Sequence, residues 1–186
     1  MNHEEVEVKL RVADAETALQ KIRAAGFQVT AARVLEQNFV LDTPASSLRK
    51  DGLLLRIRRA GDSVTCTFKG HEIPGPHKRR EEREFRASDF DEAVALFNGL
   101  GYATAFRYEK YRTEFARAGE PGHVTLDETP VGVLLELEGP ADWIDSTAKE
   151  LGFNSGDYIL ASYARLYAEW REKHPEAPSD MTFPRI

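Results

Sequence analysis

The sequence opens with charged residues at alternating positions, Glu5, Glu7 and Lys9, with Val6 and Val8 between them. Residues two apart project to the same side of a β-strand, so this spacing describes a strand with one charged and one apolar face. The same spacing returns at Arg56 and Arg58, at Lys69, at Lys78, Arg80, Glu82 and Glu84, at Lys110, Arg112 and Glu114, at Asp127, and at Glu136 and Glu138. A ligand that needs both signs side by side is polyphosphate. Arg and Lys clamp its oxygens, Arg in bidentate fashion. Polyphosphate is also normally handled as a magnesium complex, and magnesium takes carboxylate oxygens and water. Phosphoryl transfer relies on positioning and charge neutralisation, so such a lining is sufficient without a nucleophilic Ser or Cys.

The elements that must carry these residues are legible as strands and a few helices. A strand is expected over Glu5 to Arg11. A helix follows with Asp14 as N-cap, carrying Ala15, Ala18, Leu19, Ile22 and Ala25 and ending at Gly26. A β segment runs from about Arg33 to Asp42, then a short helical turn from Ser46 to Lys50. Leu53 to Arg59 and Ser63 to Lys69 read as a hairpin, Gly70 to His77 as a loop, and Lys78 to Phe85 as another strand. Ser88 is the expected cap of a helix that ends at Gly101. Three strands follow, about Ala105 to Ala116, His123 to Asp127 and Val131 to Glu138, then a helix opened by Pro140 and a last one from about Ile159 to Lys173. The whole reads as α+β, with residues 1–175 as one domain and 176–186 as a C-terminal tail held by at most Met181 and Phe183.

A solvated one-sided sheet also alternates charged with apolar residues. Here, however, the charged faces carry few Ser, Thr, Asn or Gln, and acids and bases mix within single strands. The amphipathic helices must bury their stripes against the strands' apolar faces. If eight twisted strands then close up, the charged face becomes the lining of a barrel. Such a lining is expensive unless its charges pair or receive a ligand.

Composition narrows the partners. The 186 residues hold 31 Asp+Glu against 25 Lys+Arg, a formal charge of -6, which disfavours a role in coating nucleic acid. No apolar run is long enough to span a membrane, the N-terminus does not look like a signal peptide, and Cys66 is alone. A cytoplasmic protein with neither nucleic acid nor membrane as partner is expected. The histidines His3, His71, His77, His123 and His174 show no metal-binding spacing and are expected in loops or on the surface. Tyr163, Tyr167 and Trp170 stand at helical spacing and are expected to pack.

The charged residues carry a resemblance. Glu5-Val6-Glu7-Val8-Lys9 resembles the ExExK signature of the CYTH domain, or triphosphate tunnel metalloenzyme, superfamily. Asn38 to Pro44 is similar to the family segment ending in DTP, and Leu55-Arg56-Ile57-Arg58 to its LRxR strand. Phe68-Lys69-Gly70, Arg80 to Glu84, Lys110-Tyr111-Arg112, Leu126-Asp127 and Glu136-Leu137-Glu138 follow in family order. Val40 stands where many members have Tyr, so no role of that Tyr is carried over.

The resemblance implies an eight-stranded antiparallel barrel forming a tunnel, with helices outside. It implies a triphosphate-containing small molecule as substrate and Mg2+ or Mn2+ as cofactor, with a homodimer among the assemblies it allows. Arg56, Arg58, Lys69, Arg80, Lys110 and Arg112 would bind phosphate oxygens, assisted by Lys9. Glu5, Glu7, Glu136 and Glu138 would hold metal or orient the attacking water, and Asp127, Glu82 and Glu84 would complete the acidic side. Glu5, Glu7 and Lys9 form the expected catalytic set. Glu5, Glu136 and Glu138 are expected to share one magnesium, with a second metal or a water near Glu7 and Asp127. Hydrolysis of inorganic or organic triphosphate is the leading reading. The alternatives are a class IV adenylyl cyclase, forming cyclic AMP and pyrophosphate from ATP, and a non-catalytic module that binds polyphosphate or nucleotide.

Overall fold

The computed structural model describes residues 4–184; His3 lies outside them. Among these residues eight antiparallel strands close into a barrel in the order β1-β5-β4-β3-β2-β6-β7-β8. The strands are β1 (Glu4–Val12), β2 (Gln28–Asp42), β3 (Leu54–Ala60), β4 (Ser63–Ile73), β5 (Lys78–Ala87), β6 (Ala103–Ala116), β7 (His123–Thr129) and β8 (Gly132–Glu138). The helices are α1 (Ala15–Ala24), α2 (Ser47–Lys50), α3 (Phe90–Gly99), α4 (Ala141–Glu150) and α5 (Tyr163–Arg171). The α+β class expected from the elements, and the eight-stranded barrel that the resemblance implies, are therefore the fold. No helix among the described residues is long and apolar enough to cross a membrane.

Closure turns the charged faces inward because the helices cover the apolar ones. Val8, Leu10, Phe115, Val124, Leu126, Leu135 and Leu137 bury against α1 (Ala18, Ile22) and α4 (Trp143, Ile144, Ala148). A second cluster joins Leu41, Leu55, Ile57, Val64 and Cys66 to Ala93, Val94 and Phe97 of α3. At β8 the inward series Glu138, Glu136 gives way to Leu134, which packs with Tyr108, Tyr163, Tyr167 and Met181 beneath α5. Each fully buried aliphatic side chain of this kind is worth about 1.5–3 kcal/mol, so the apolar exterior, not the ionic interior, supplies the drive to close.

The C-terminal segment completes the wall where neighbouring strands part. β5 runs beside β1 only at Glu4 to Glu7. Further along, Lys9 exchanges two backbone hydrogen bonds with Ile159, at 3.0 and 2.9 Å. β7 joins β6 only from Tyr111 onward. Before that point the Met181 amide donates to the Arg107 carbonyl, and Glu109 N–H donates to the Met181 carbonyl, at 3.0 and 2.8 Å. Asp180 accepts from the Arg107 backbone and side chain, and Phe183 N–H donates to Glu109.

Several local expectations are corrected. The Gly70 to His77 loop begins later, because β4 resumes pairing with β5 at Glu72 and Ile73 after a bulge. Asp89, not Ser88, caps α3, accepting from Glu92 N–H at 2.9 Å. The last helix starts at Tyr163 because Ile159 is drawn into its pairing with Lys9, and Ser162 is its cap. β2 begins at Gln28, since its early residues pair with the end of β6.

Candidate active site

A cavity of about 370 Å³ occupies the barrel, within the ordinary size range of small-molecule sites. Glu5, Glu7, Lys9, Arg56, Arg58, Lys69, Arg80, Glu82, Glu84, Lys110, Arg112, Glu136 and Glu138 all line it. The structure thus brings together every residue singled out for chemistry except Asp127, which lies just behind the wall, wholly buried. Glu81 and Arg83, the alternate positions of β5, pair with each other on the outside.

The cations fall into two groups by what holds them. Lys110 Nζ and the Arg112 guanidinium donate to Asp127 at 2.6–2.8 Å, and Arg112 also pairs with Glu136. Tyr163 Oη donates to the same Asp127. Lys9 lies between Glu7 (2.9 Å) and Glu136 (3.1 Å), and Lys78 donates to Glu7 at 2.6 Å. The second group is on β3, with Glu36 of β2 between it and Lys110. Arg56 donates to Tyr108 Oη (3.3 Å) and Thr67 Oγ1 (3.1 Å), while its Nε is buried without an acceptor. Arg58 donates to Asn38 Oδ1 and pairs with Glu36. Arg80 is committed differently, donating to the backbone carbonyls of Gly52, Lys69 and Gly70.

The acids are unevenly neutralised. For Glu7 and Glu136, burial opposes ionisation, but Lys9 together with Lys78 for Glu7, and Lys110 together with Lys9 for Glu136, outweigh it and hold both carboxyls well below their usual range. Burial likewise opposes ionisation of Glu36, yet Lys110, Arg112 and Arg58 hold it at about 2. Glu5 goes the other way: burial and then Glu7 push it up to about 7 despite Lys69, which donates to it at 2.6 Å. Burial, with Glu5 and Glu7 nearby, pushes Glu138 up to about 8. Glu138's nearest basic neighbour is His123 at 3.5 Å.

This imbalance is the test of fit for a divalent cation. Among the described residues no three acids converge on one point as a preformed cage, and Glu136 is turned to Lys9, Lys110 and Arg112. The donor set nevertheless suits a hard cation. Burial first, and then neighbouring carboxylates, oppose ionisation of Glu5 and Glu138 despite Lys69, and a dication would favour their charged forms. Arg56, on the other side of the same cavity, offers a guanidinium hydrogen-bonded only to the neutral oxygens of Tyr108 and Thr67.

Some participants were not read from the sequence as site residues. Glu36, Asn38 and Val40 obey the same two-residue spacing on β2, but their mixed types hide it. Lys78 and Glu114 were seen on charged faces and left out of the expected set; both line the cavity, as do Tyr108, Tyr163 and His123. His123, expected at the surface, is a half-exposed part of the lining, and His77 is buried with its Nε2 at 2.8 Å from Asp145 outside the barrel.

Comparison with known proteins bears on this arrangement. Comparison with curated proteins returns no match. Among solved structures, a candidate adenylate cyclase from Vibrio parahaemolyticus superposes with a TM-score of 0.79 at 20% identity, over 90% of this chain and 99% of that one. A protein of Pyrococcus horikoshii gives 0.74 at 26% identity, again over 90% and 99%. A Hippeastrum protein, a candidate adenylyl cyclase with a dominant triphosphatase activity, gives 0.68 at 16% identity over 89% and 96%. The model of the CYTH domain matches residues 3–180. With that match spanning nearly the whole chain, and the ordered charged doublets lining one closed barrel, the chain belongs to the CYTH domain family.

Proposed function

We propose that the protein hydrolyses a triphosphate, inorganic or organic, within this cavity in a reaction that depends on Mg2+ or Mn2+. One observation carries the reading: a single cavity sets buried cations against carboxylates whose ionisation burial and neighbouring acids oppose. A pure anion receptor has no use for the second feature, because uncompensated acids weaken anion binding.

In this reading Arg56, Arg58, Lys69, Lys110 and Arg112 bind phosphate oxygens and hold the chain of phosphates in line. Glu36, Asp127 and Glu136 fix the orientation of the cations they touch. Lys9, gripped by Glu7 and Glu136, keeps its proton and adds a fixed positive charge. Arg80 ties β5 to β4 and to the turn before β3 through three carbonyls and offers its remaining face to the cavity. Glu5, Glu82 and Glu138 would hold the divalent ion, with Glu7 and Glu84 beside them; when bound, that ion supplies charge neutralisation and a source of activated water. A carboxylate beside the ion, Glu7 or Glu84, would orient the attacking water and take its proton.

The test is to incubate purified protein with Mg2+ or Mn2+ and tripolyphosphate, thiamine triphosphate or ATP, and to follow phosphate, pyrophosphate and cyclic AMP separately. Metal-dependent phosphate release that disappears in Glu138→Gln is expected. Cyclic AMP from ATP would replace hydrolysis by the cyclase reaction, and binding without any product would leave only a receptor.

A further inference from the structure

Strands supply almost all of the cavity lining; α5 reaches it through Ser162, Tyr163 and Ala164 at its first turn. Tyr163 is buried and touches the cation wall in several ways. Its hydroxyl donates to Asp127 Oδ2 at 2.5 Å, the oxygen that also accepts from Lys110 Nζ (2.8 Å) and Arg112 Nη2 (2.6 Å). Its ring lies beneath the ammonium groups of Lys110 and Lys9, 4.7 and 5.4 Å from the centroid, within cation–π range. The ring is also stacked on Tyr108 with centroids 5.5 Å apart, and Tyr108 Oη accepts from Arg56.

We propose that Tyr163 is a positioning residue, setting through its hydroxyl and ring where the Lys110 and Arg112 cations stand in the anion-binding wall. The inference rests on the triphosphate reading above. Three donors on one carboxylate oxygen share its charge, so each is held less tightly than it would be with fewer competitors. The phenol therefore leaves Lys110 and Arg112 anchored yet able to turn toward a phosphate oxygen. Without it, Asp127 draws both cations back from the cavity. The phenol is itself placed by the wall, because Ile159, just before the helix, is bonded to the backbone of Lys9, and Ser162 Oγ caps the first turn by accepting from Arg165 N–H.

Tyr163→Phe keeps the ring and removes the hydroxyl; Tyr163→Leu removes both. Binding of tripolyphosphate in EDTA is measured by calorimetry, turnover with Mg2+ gives KM and kcat, and the Arg112 Nε–H resonance of the ligand-free protein is recorded by NMR. Tyr163→Phe is expected to raise Kd and KM about tenfold, equivalent to about 1.4 kcal/mol, with kcat within about twofold, and to move the Arg112 resonance. Tyr163→Leu weakens binding further. A merely structural role would lower the melting temperature and the active fraction without raising KM. If wild type binds tripolyphosphate and Tyr163→Phe binds it equally well, the proposal is overturned. If wild type turns tripolyphosphate over with Mg2+ but does not bind it in EDTA, KM takes the place of Kd and an unchanged KM in Tyr163→Phe overturns the proposal; if wild type does neither, the triphosphate reading fails by itself, and the Arg112 resonance decides the positioning claim: an unmoved signal overturns it, a moved one upholds it.

Discussion

Replacing Asp127 by Asn preserves shape and removes one charge from the centre of the ionic lining. The side chain is wholly buried and accepts from Lys110, from two nitrogens of Arg112 and from Tyr163. The variant leaves two buried cations short of a counterion. Removing one partner from a buried pair costs about 3–5 kcal/mol. Part of this is offset, because Glu136 still pairs with Arg112 and Glu36 lies 3.6 Å from Lys110, which favours the lower end, about 3 kcal/mol. For a domain of this size each kcal/mol moves the melting point by about 2–4 °C, so a fall of roughly 6–12 °C is expected. Calorimetric melts of ligand-free wild type and variant measure it, with exposed Asp62→Asn as a control that should not move. Tripolyphosphate should stabilise Asp127→Asn more than wild type, since its oxygens supply the missing negative charge. A ligand-free variant melting within about 2 °C of wild type would refute the reasoning, because Asp127 would then not be the counterion on which the two cations depend.

Arg56→Lys loses the forked contact to Tyr108 and Thr67 and should weaken tripolyphosphate binding about tenfold or more by calorimetry. In the metal-free protein Glu5 and Glu138 are pushed up to about 7 and about 8 from the ordinary 4.5, so between about pH 4.5 and pH 8 the folded state holds more protons than the unfolded one. Folding stability should decline as pH rises through that window, and Mg2+, which must displace those protons, should bind more tightly at pH 8 than at pH 6; carboxyl NMR titration together with a flat Mg2+ affinity would contradict this. Gly122→Ala places a Cβ 2.3–2.6 Å from ring atoms of Trp143, so it should destabilise the protein by about 1–3 kcal/mol in thermal melts.

What the sequence made legible was periodic and local. Glu5-x-Glu7-x-Lys9 and its successors needed only the two-residue repeat of a strand, and the apolar partners Val8, Leu10, Leu135 and Leu137 showed which face the helices would cover. Glu36 was missed although it follows the same repeat, because Asn38 and Val40 break the charge signal on its strand. Tyr163 was read as packing, which its ring does, but its hydroxyl meets Asp127 across 36 positions of sequence, and no spacing rule reaches that far. The start of the last helix was misplaced for a similar reason: Ile159 suits a helix by type, but pairing with Lys9 wins it for the wall. Ser88 was the expected cap on local grounds, and the geometry gives that role to its neighbour Asp89.

The pairing of β1 with β8, which sets Glu7 beside Glu138, joins the first strand of the chain to the last, a long-range contact of the kind that slows folding. The ring needs such a contact to close. Until then every charged side chain of the lining stands in water, and the sheet is a curved strip with one wet face. Closure strips that water from all eight strands together. The ionic lattice is therefore a product of folding and not its guide, and the sequence is free to arrange those charges for what enters the barrel.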